Sequence, residues 1–279
     1  MSTDPWQTER LDLDGYLART GVPARVPSRA ALNELHEAHV RTFTFDNIDV
    51  LLDAHPGVDL AAVEAKFVGR GRGGYCFEHA TLFAAALDRL GYAVQRRLGR
   101  VAGPTSSGAR THCVVVVTVD GERLLADPGF GMSVLRPIAL EDPGPTDQDG
   151  WAFRVQPVPI GDGRGWELHR WRDGGWELMH THDELPVHPV DLVGGHHYTS
   201  TYPSSHFRHG LMVARHGKGR HTTLTHTTLT VRRPGEPTEH REITLDELRA
   251  VLRELEVPLT ADEEARLLRR VTELRELTS

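Results

Sequence analysis

The sequence predicts an α+β protein in three parts: a helical first third, an antiparallel β-barrel in the middle and a mixed C-terminal end. Three observations carry this. Up to Leu90, apolar residues recur at helical spacing between capping residues and glycine stops. From Gly91 on, short β-branched segments alternate with turn signals such as Asp120-Gly121 and Asp173-Gly174-Gly175. Near the end, two capping boxes, Thr244…Glu247 and Thr260…Glu263, open amphipathic helices.

Taken in order, a short helix over residues 12–19 turns Leu13, Tyr16 and Leu17 inward, and Gly21 closes it. Ser28 caps a helix to about Val40 with Leu32, Leu35 and His36 on one face. Residues 42–52 mix apolar and polar types without a period and read as an ordered connection. Asp59 caps a further helix to about Phe67. The loop Gly69-Arg70-Gly71-Arg72-Gly73-Gly74 then delivers Cys76 onto the first turn of a helix. In that helix Phe77, Ala80, Phe83, Ala84, Leu87 and Leu90 repeat at helical spacing. In the β region, residues 141–150 read as a loop. The tandem His221-Thr-Thr-Leu-Thr and His226-Thr-Thr-Leu-Thr reads as one strand with a threonine-rich face. The last helix carries Leu267, Leu268, Val271 and Leu274 on one face.

Cys76 sits where the unpaired N–H groups and positive dipole end of a helix favour a thiolate, with Arg72 adding a nearby cation. That is a nucleophile's position; the other role open to a free cysteine is that of a small buried hydrophobe. Arg72 and Glu78 themselves read as loop-holding groups. A second constellation spans residues 111–127, where Asp120-Gly121 is a two-residue hairpin signal. In that register Val119 pairs with Glu122, Val117 with Leu124 and Val114 with Asp127. His112 then shares a face with Val114 and lies diagonal to Asp127, within side-chain reach. Cys113 points to the opposite face. Cysteine, histidine and aspartate together suggest acyl transfer from a cysteine-protease-like catalytic core: the histidine takes the thiol proton and the aspartate orients the imidazole.

Composition narrows the classes. With 279 residues, 39% hydrophobic and 25% charged, the chain has length for a large core and several domains. A net charge of −7 without a basic cluster argues against a nucleic-acid partner. No apolar run approaches membrane-spanning length, and residues 1–10 lack the apolar core of a signal peptide. Two cysteines cannot build a disulfide framework, so a reducing cytoplasm is the expected location. The seventeen histidines are expected mainly at the surface. A metal-binding alternative would draw on His180 and His182, with His196, His197, His206 and His209, but no Cys-x-x-Cys or His-Glu-x-x-His spacing supports it. No metal is expected.

Together, Arg72-Gly73-Gly74-Tyr75-Cys76-Phe77-Glu78, Thr111-His112 and Leu125-Ala126-Asp127-Pro128-Gly129-Phe130-Gly131 resemble the arylamine N-acetyltransferases. Phe45-Asp46-Asn47-Ile48-Asp49 is similar to that family's Phe-Glu-Asn-Leu-Asp segment. The stretch from His197 to Phe207 is similar to its Tyr-Thr-Ser-Thr-His-Pro-x-Ser-x-Phe block. The blocks stand in family order and cover the chain from about residue 12 to its end. The resemblance implies a helical domain over 1–90 carrying the cysteine, a β-barrel domain over 91–190 carrying the histidine and aspartate, and an α/β lid over 191–279. It implies Cys76, His112 and Asp127 as a catalytic triad in xenobiotic metabolism, with acetyl-CoA as co-substrate. A small aromatic amine or hydrazine would accept the acetyl group by a ping-pong route through an acetyl-cysteine. By the same resemblance Thr111, Gly129, Phe130 and Gly131 lie near the pantetheine of the coenzyme, and Phe45, Val101 and Phe207 border the acceptor pocket. A homodimer is left open.

Four residues depart from the family pattern. Asp46 replaces a glutamate that supports the Arg72 loop, so its shorter arm is expected to loosen that pairing. Thr44 replaces a proline, Pro128 a small apolar residue and Tyr202 a histidine. Two rival readings share the chemistry. An amide synthase of the same superfamily would use the same triad on a polyketide amide, and a papain- or transglutaminase-type hydrolase would lack the Asp-Pro-Gly-Phe-Gly block.

Overall fold

The computed structural model describes residues 4–102 and 108–278. Its first α-helix, α1 (Leu13–Thr20), starts where the Asp12 carboxylate accepts the Gly15 N–H, and ends at Gly21, whose φ of 73° suits a residue without Cβ. α2 (Arg29–Thr42) is capped by Ser28, whose hydroxyl accepts the Ala31 N–H. The expected connection over 42–52 is more ordered than its pattern suggests. It holds a two-residue strand, β1 (Phe45–Asp46), and one helical turn, α3 (Ile48–Leu51). α4 (Leu60–Glu64), capped by Asp59, runs into a π-type turn at Ala65–Gly69 that buries Lys66 and Phe67. α5 (Cys76–Leu90) is buried without a break from Cys76 to Leu87. Its small residues Ala80, Ala84, Ala85 and Ala86 let neighbours close on every side, as a helix at the centre of a domain requires.

Eight antiparallel strands follow: β2 (Ala93–Val101), β3 (His112–Val119), β4 (Glu122–Ala126), β5 (Ile138–Ala139), β6 (Thr146–Gln148), β7 (Trp151–Ile160), β8 (Gly163–Arg172) and β9 (Gly175–Asp183). They run in the order β5-β4-β3-β2-β9-β8-β7-β6, and β5 also lies against β7, which nearly closes the barrel. β6 occupies part of the expected loop 141–150. The β3–β4 turn has positive φ at both Asp120 (53°) and Gly121 (80°), as a type I′ turn demands. It sets the expected register, with Val119 opposite Glu122 and Val117 opposite Leu124. Alternate β3 side chains therefore part company. Val114 and Val116 join the barrel core with Phe153, Val155, Trp166 and Leu168, while Cys113, Val115 and Val117 pack in the core around α5.

The C-terminal part begins with α6 (Pro189–Thr201) and α7 (His206–His209). Four strands then follow, β10 (Met212–Gly217), β11 (Arg220–Thr225), β12 (Thr228–Arg232) and β13 (Glu239–Glu242), and the chain closes with α8 (Leu245–Glu254) and α9 (Ala261–Thr278). The sheet order is β1-β10-β11-β12-β13, so Phe45–Asp46 from the first third is stitched into it. Both expected capping boxes form: Thr244 with Glu247, and Thr260 with Glu263. The tandem His-Thr-Thr-Leu-Thr is two strands, not one. Thr225 Oγ1 accepts the N–H groups of Thr227 (3.2 Å) and Thr228 (2.9 Å), a side-chain turn that folds the repeat back on itself. The histidines are not a surface population either. His36, His39, His79, His112, His169, His180, His182, His216 and His221 are all buried. Among the described residues no helix is long and apolar enough to cross a membrane.

Candidate active site

The glycine pair before Cys76 is there for lack of space. A Cβ on Gly73 would stand 1.8 Å from the Thr44 carbonyl oxygen, and one on Gly74 would stand 2.1 Å from a Glu78 oxygen. Glu78 accepts the Tyr75 N–H (3.0 Å), capping its own helix, and the Lys66 ammonium (2.7 Å). Burial would raise the Glu78 pKa, but Lys66 and His55 outweigh it and hold the carboxyl at about 2. Arg72 is fully buried and donates to Asp49 (2.8 Å), while the Asp46 carboxylate stands 3.7 Å away. Asp49 takes the guanidinium at hydrogen-bond distance, and Asp46 acts on it through its charge. Glu263 at the start of α9 pairs with Arg70 (2.7 Å) and lies 3.6 Å from Arg72. Arg72 and Glu78 hold the loop.

Across from the helix start, His112 Nε2–H donates to Asp127 Oδ2 at 3.0 Å, both side chains being buried. The other ring nitrogen is left for Cys76, whose sulfur lies 3.5 Å from the Thr111 carbonyl oxygen. Burial would lower the His112 pKa. The Asp127 carboxylate and the Cys76 sulfur outweigh it and raise it to about 10, so the imidazolium form is favoured. Asp127 is pulled the other way: burial would raise it, but His112 and His180 keep it ionised. Cys113 is buried on the far side of β3, and burial pushes its thiol up, out of the reactive range.

His180 Nε2–H also donates to Asp127 Oδ2, at 3.0 Å. Sequence reasoning considered this residue only as half of a metal pair. Ligand-type atoms of His112, Asp127 and His180 do lie within 4.8 Å of one another, a set that the expectation of a metal-free site did not foresee. The signal was present in His180-Thr181-His182, but only the pairing of β9 with β2 says what it faces.

A Cβ on Gly129 would stand 2.8 Å from Cys76 Cα, so this backbone packs directly on the nucleophile's turn. The Phe130 ring meets His112 edge-on with centroids 5.1 Å apart. Gly131 has a φ of 89° and faces the Phe45 ring. Phe45 is buried, 6.2 Å from Phe207, which in turn meets Tyr75 at 5.6 Å. Val101 is half exposed and directly opposite His180, hence on the same sheet face. Tyr202 is stacked on Tyr198 at the surface. Asn47, which sequence reasoning left without a role, fixes the Phe207 segment: its amide donates to the Phe207 and Gly210 carbonyls and its oxygen accepts the Met212 N–H, each at 2.8 Å. Three histidines hold the loop after Asp127. His221, His216 and His36 donate to the carbonyls of Gly131, Ser133 and Leu135, all at 3.0 Å.

A cysteine at a helix start, an imidazole whose pKa it helps to raise and a carboxylate on that ring are a set suited to nucleophilic acyl transfer. A family model described as N-acetyltransferase matches residues 29–263. The chain is 39% identical to an arylamine N-acetyltransferase of Mycolicibacterium smegmatis over 241 residues, covering 82% of this chain and 85% of that one. Its fold matches the arylamine N-acetyltransferase of Mycobacterium abscessus with a TM-score of 0.91 at 32% identity, over 98% of this chain and 99% of that one. The Mycobacterium marinum arylamine N-acetyltransferase, solved in complex with CoA, matches with a TM-score of 0.86 at 32% identity, over 94% and 99%.

Proposed function

The chain belongs to the arylamine N-acetyltransferase family, and from that premise we propose that Cys76, His112 and Asp127 carry an acetyl group from acetyl-CoA to an aromatic amine in two half-reactions. The observation that carries this reading is the double engagement of His112, with one ring nitrogen on Asp127 and the other left for Cys76. In the first half, the proton of Cys76 already rests on His112, whose imidazolium form is favoured, and the thiolate attacks the thioester carbonyl. The bond to the coenzyme sulfur breaks, and the departing thiolate takes the proton from His112. In the second half, the amine nitrogen attacks the acetyl-cysteine carbonyl and loses a proton to His112. The sulfur–acyl bond breaks, and the released Cys76 thiolate stands again beside the protonated His112. Exchange of one thioester for another is nearly balanced in energy, which suits sulfur to the carrier role. An aromatic amine is already unprotonated at neutral pH and needs only positioning and a proton acceptor.

Thr111, Gly129, Phe130 and Gly131 are assigned to the pantetheine approach, supported by the contact of Gly129 with the Cys76 turn and by the CoA held by the Mycobacterium marinum protein. Phe45, Phe207 and Val101 are assigned to the acceptor side, supported by the ring contact between the two phenylalanines. The test withholds the amine. Acetyl-CoA alone should leave one acetyl group on the peptide containing Cys76 and release an equal amount of free coenzyme. An acetyl group on any other residue, or undiminished turnover by Cys76→Ser, overturns the reading.

A further inference from the structure

Asp127 faces a problem of orientation. Among the described residues its Oδ1 receives only a long contact, from the Gly129 N–H (3.4 Å), and Pro128 between them has no N–H to give. The terminal torsion of an aspartate is soft, so one hydrogen bond from His112 leaves the carboxylate free to swing. A second donor on the same oxygen removes that freedom, and β9 is built to supply one. Leu168 pairs with His180 but His169 with Leu178, so Met179 is an extra residue, a β-bulge beside His180. The bulge puts two consecutive side chains inside the barrel: Met179 in the apolar core and His180 on Asp127. Gly99 of β2 lies opposite both His112 and His182, and a Cβ there would stand 2.6 Å from the Thr181 carbonyl oxygen. With no side chain between them, the His112 and His180 rings close to 4.7 Å between centroids.

We propose that His180 is a positioning residue for acetyl transfer: its Nε2–H pins Asp127 Oδ2 so that the carboxylate presents one fixed oxygen to His112. This rests on the reading of Cys76, His112 and Asp127 given above. His180 acts as a neutral donor. Burial lowers its pKa, and the charge on His112 lowers it further, against the pull of Asp127. The titratable groups facing it are His112 from β3, Asp127 after β4, His169 from β8 and His182 from β9, with Arg97 of β2 acting on His182. Cys76 of α5 lies beyond His112.

The test compares His180→Phe, which keeps a ring and removes the donor, with His180→Gln, which keeps an N–H donor. The first readout is the pH dependence of Cys76 alkylation by iodoacetamide, which needs no acetyl transfer. The second is kcat and KM with acetyl-CoA. In His180→Phe the acid limb of the alkylation profile should move to higher pH, and kcat should fall by about 10- to 100-fold with KM unchanged, the worth of one hydrogen bond to a charged group. His180→Gln should restore the limb and most of kcat. A limb that stays put or moves to lower pH in His180→Phe, or a Gln variant as impaired as Phe, overturns the proposal. Should His180→Phe not fold, His180→Gln decides alone: a wild-type limb supports the role and a shifted limb removes it. A protein whose Cys76 alkylates normally but never accepts an acetyl group would sink the acetyl-transfer reading while leaving this one open to the same alkylation test.

Discussion

The barrel and the seam between α2 and α5 both bury histidines, and they do opposite things with them. In the barrel, His112 has a carboxylate within 3.0 Å and is held as an imidazolium with its pKa raised to about 10. In the seam, among the described residues, no carboxylate is hydrogen-bonded to the chain of rings. His79 Nε2–H donates to the Thr44 carbonyl (3.1 Å), which can only accept. His79 Nδ1 must then accept from His39 (2.9 Å), and His39 Nδ1 must accept from the Tyr16 hydroxyl (2.9 Å). Every proton in that line is fixed, and burial keeps His39 and His79 neutral. One carboxylate separates the charged His112 from histidines that hold backbone in place, while His180, on the same carboxylate, stays a neutral donor. The residue type is not the signal; its partner is.

The most direct way to break the contrast is to neutralise that carboxylate. Asp127→Asn keeps an oxygen and the volume but removes the charge and the tautomer control. Acetyl transfer should fall by up to ~10⁴-fold, with little change in melting temperature. Near-normal transfer would reduce Asp127 to a structural role.

A pH titration separates the two populations next. His36, His79 and His221 have native values near 4, against about 6.5 for an unfolded histidine. As pH falls below about 6.5 the unfolded chain binds protons first. Their stabilising contribution is therefore complete above 6.5 and is lost down to about 4. Each costs up to about 1.4 kcal/mol per pH unit in that window. His112 has the opposite sign: its contribution is full below about 6.5 and fades as pH rises towards 10. Melting temperature should drop steeply between pH 6.5 and 4, and a flat profile there would mean that these rings are charged or exposed.

Cutting the seam itself sharpens the comparison further. His39→Leu leaves the buried Tyr16 hydroxyl and His79 Nδ1 without partners, at a cost of about 2–4 kcal/mol in denaturant unfolding. Transfer per folded molecule should be unchanged, because no reacting atom touches this line. A kcat loss at full folding would show that the seam does more than hold α5.

The two regions also differed in how much could be read before folding. The dyad was legible because a two-residue hairpin has one register, and period-2 alternation then decides which side chains meet. The helix carrying Cys76 was legible from its period and its glycine stop. His180 was not, because its orientation depends on the Met179 bulge and on β9 pairing with β2, contacts some 80 residues apart in sequence. The buried histidines were misread for a similar reason. A histidine satisfied by a carbonyl looks the same in a sequence as one satisfied by water. The threonine repeat was read as one strand because its turn is made by a side chain, Thr225, and not by glycine or proline.

The hairpin offers a smaller test. Gly121→Val places a β-branched residue at a φ of 80° and should cost about 1–3 kcal/mol, with activity falling alongside stability as the register weakens. Full stability together with full activity would mean that the turn does not set the register.

The smallest expected effect belongs to Cys113, one residue from His112 and on the other face of the same strand. It is fully buried, in the same apolar cluster as Val115, Val117 and the α5 residues Ala80 and Phe83. Cys113→Ala removes one sulfur from that apolar layer and should cost about 1 kcal/mol, with acetyl transfer close to normal. Iodoacetamide should label Cys76 and spare Cys113, since only a thiolate reacts and burial pushes the Cys113 thiol up. The two cysteines thus test the alternation of β3 from its two sides. If Cys113 were alkylated first, or if its alanine variant lost transfer as Asp127→Asn does, the strand would present its other face to Cys76. His112 could then not reach Asp127.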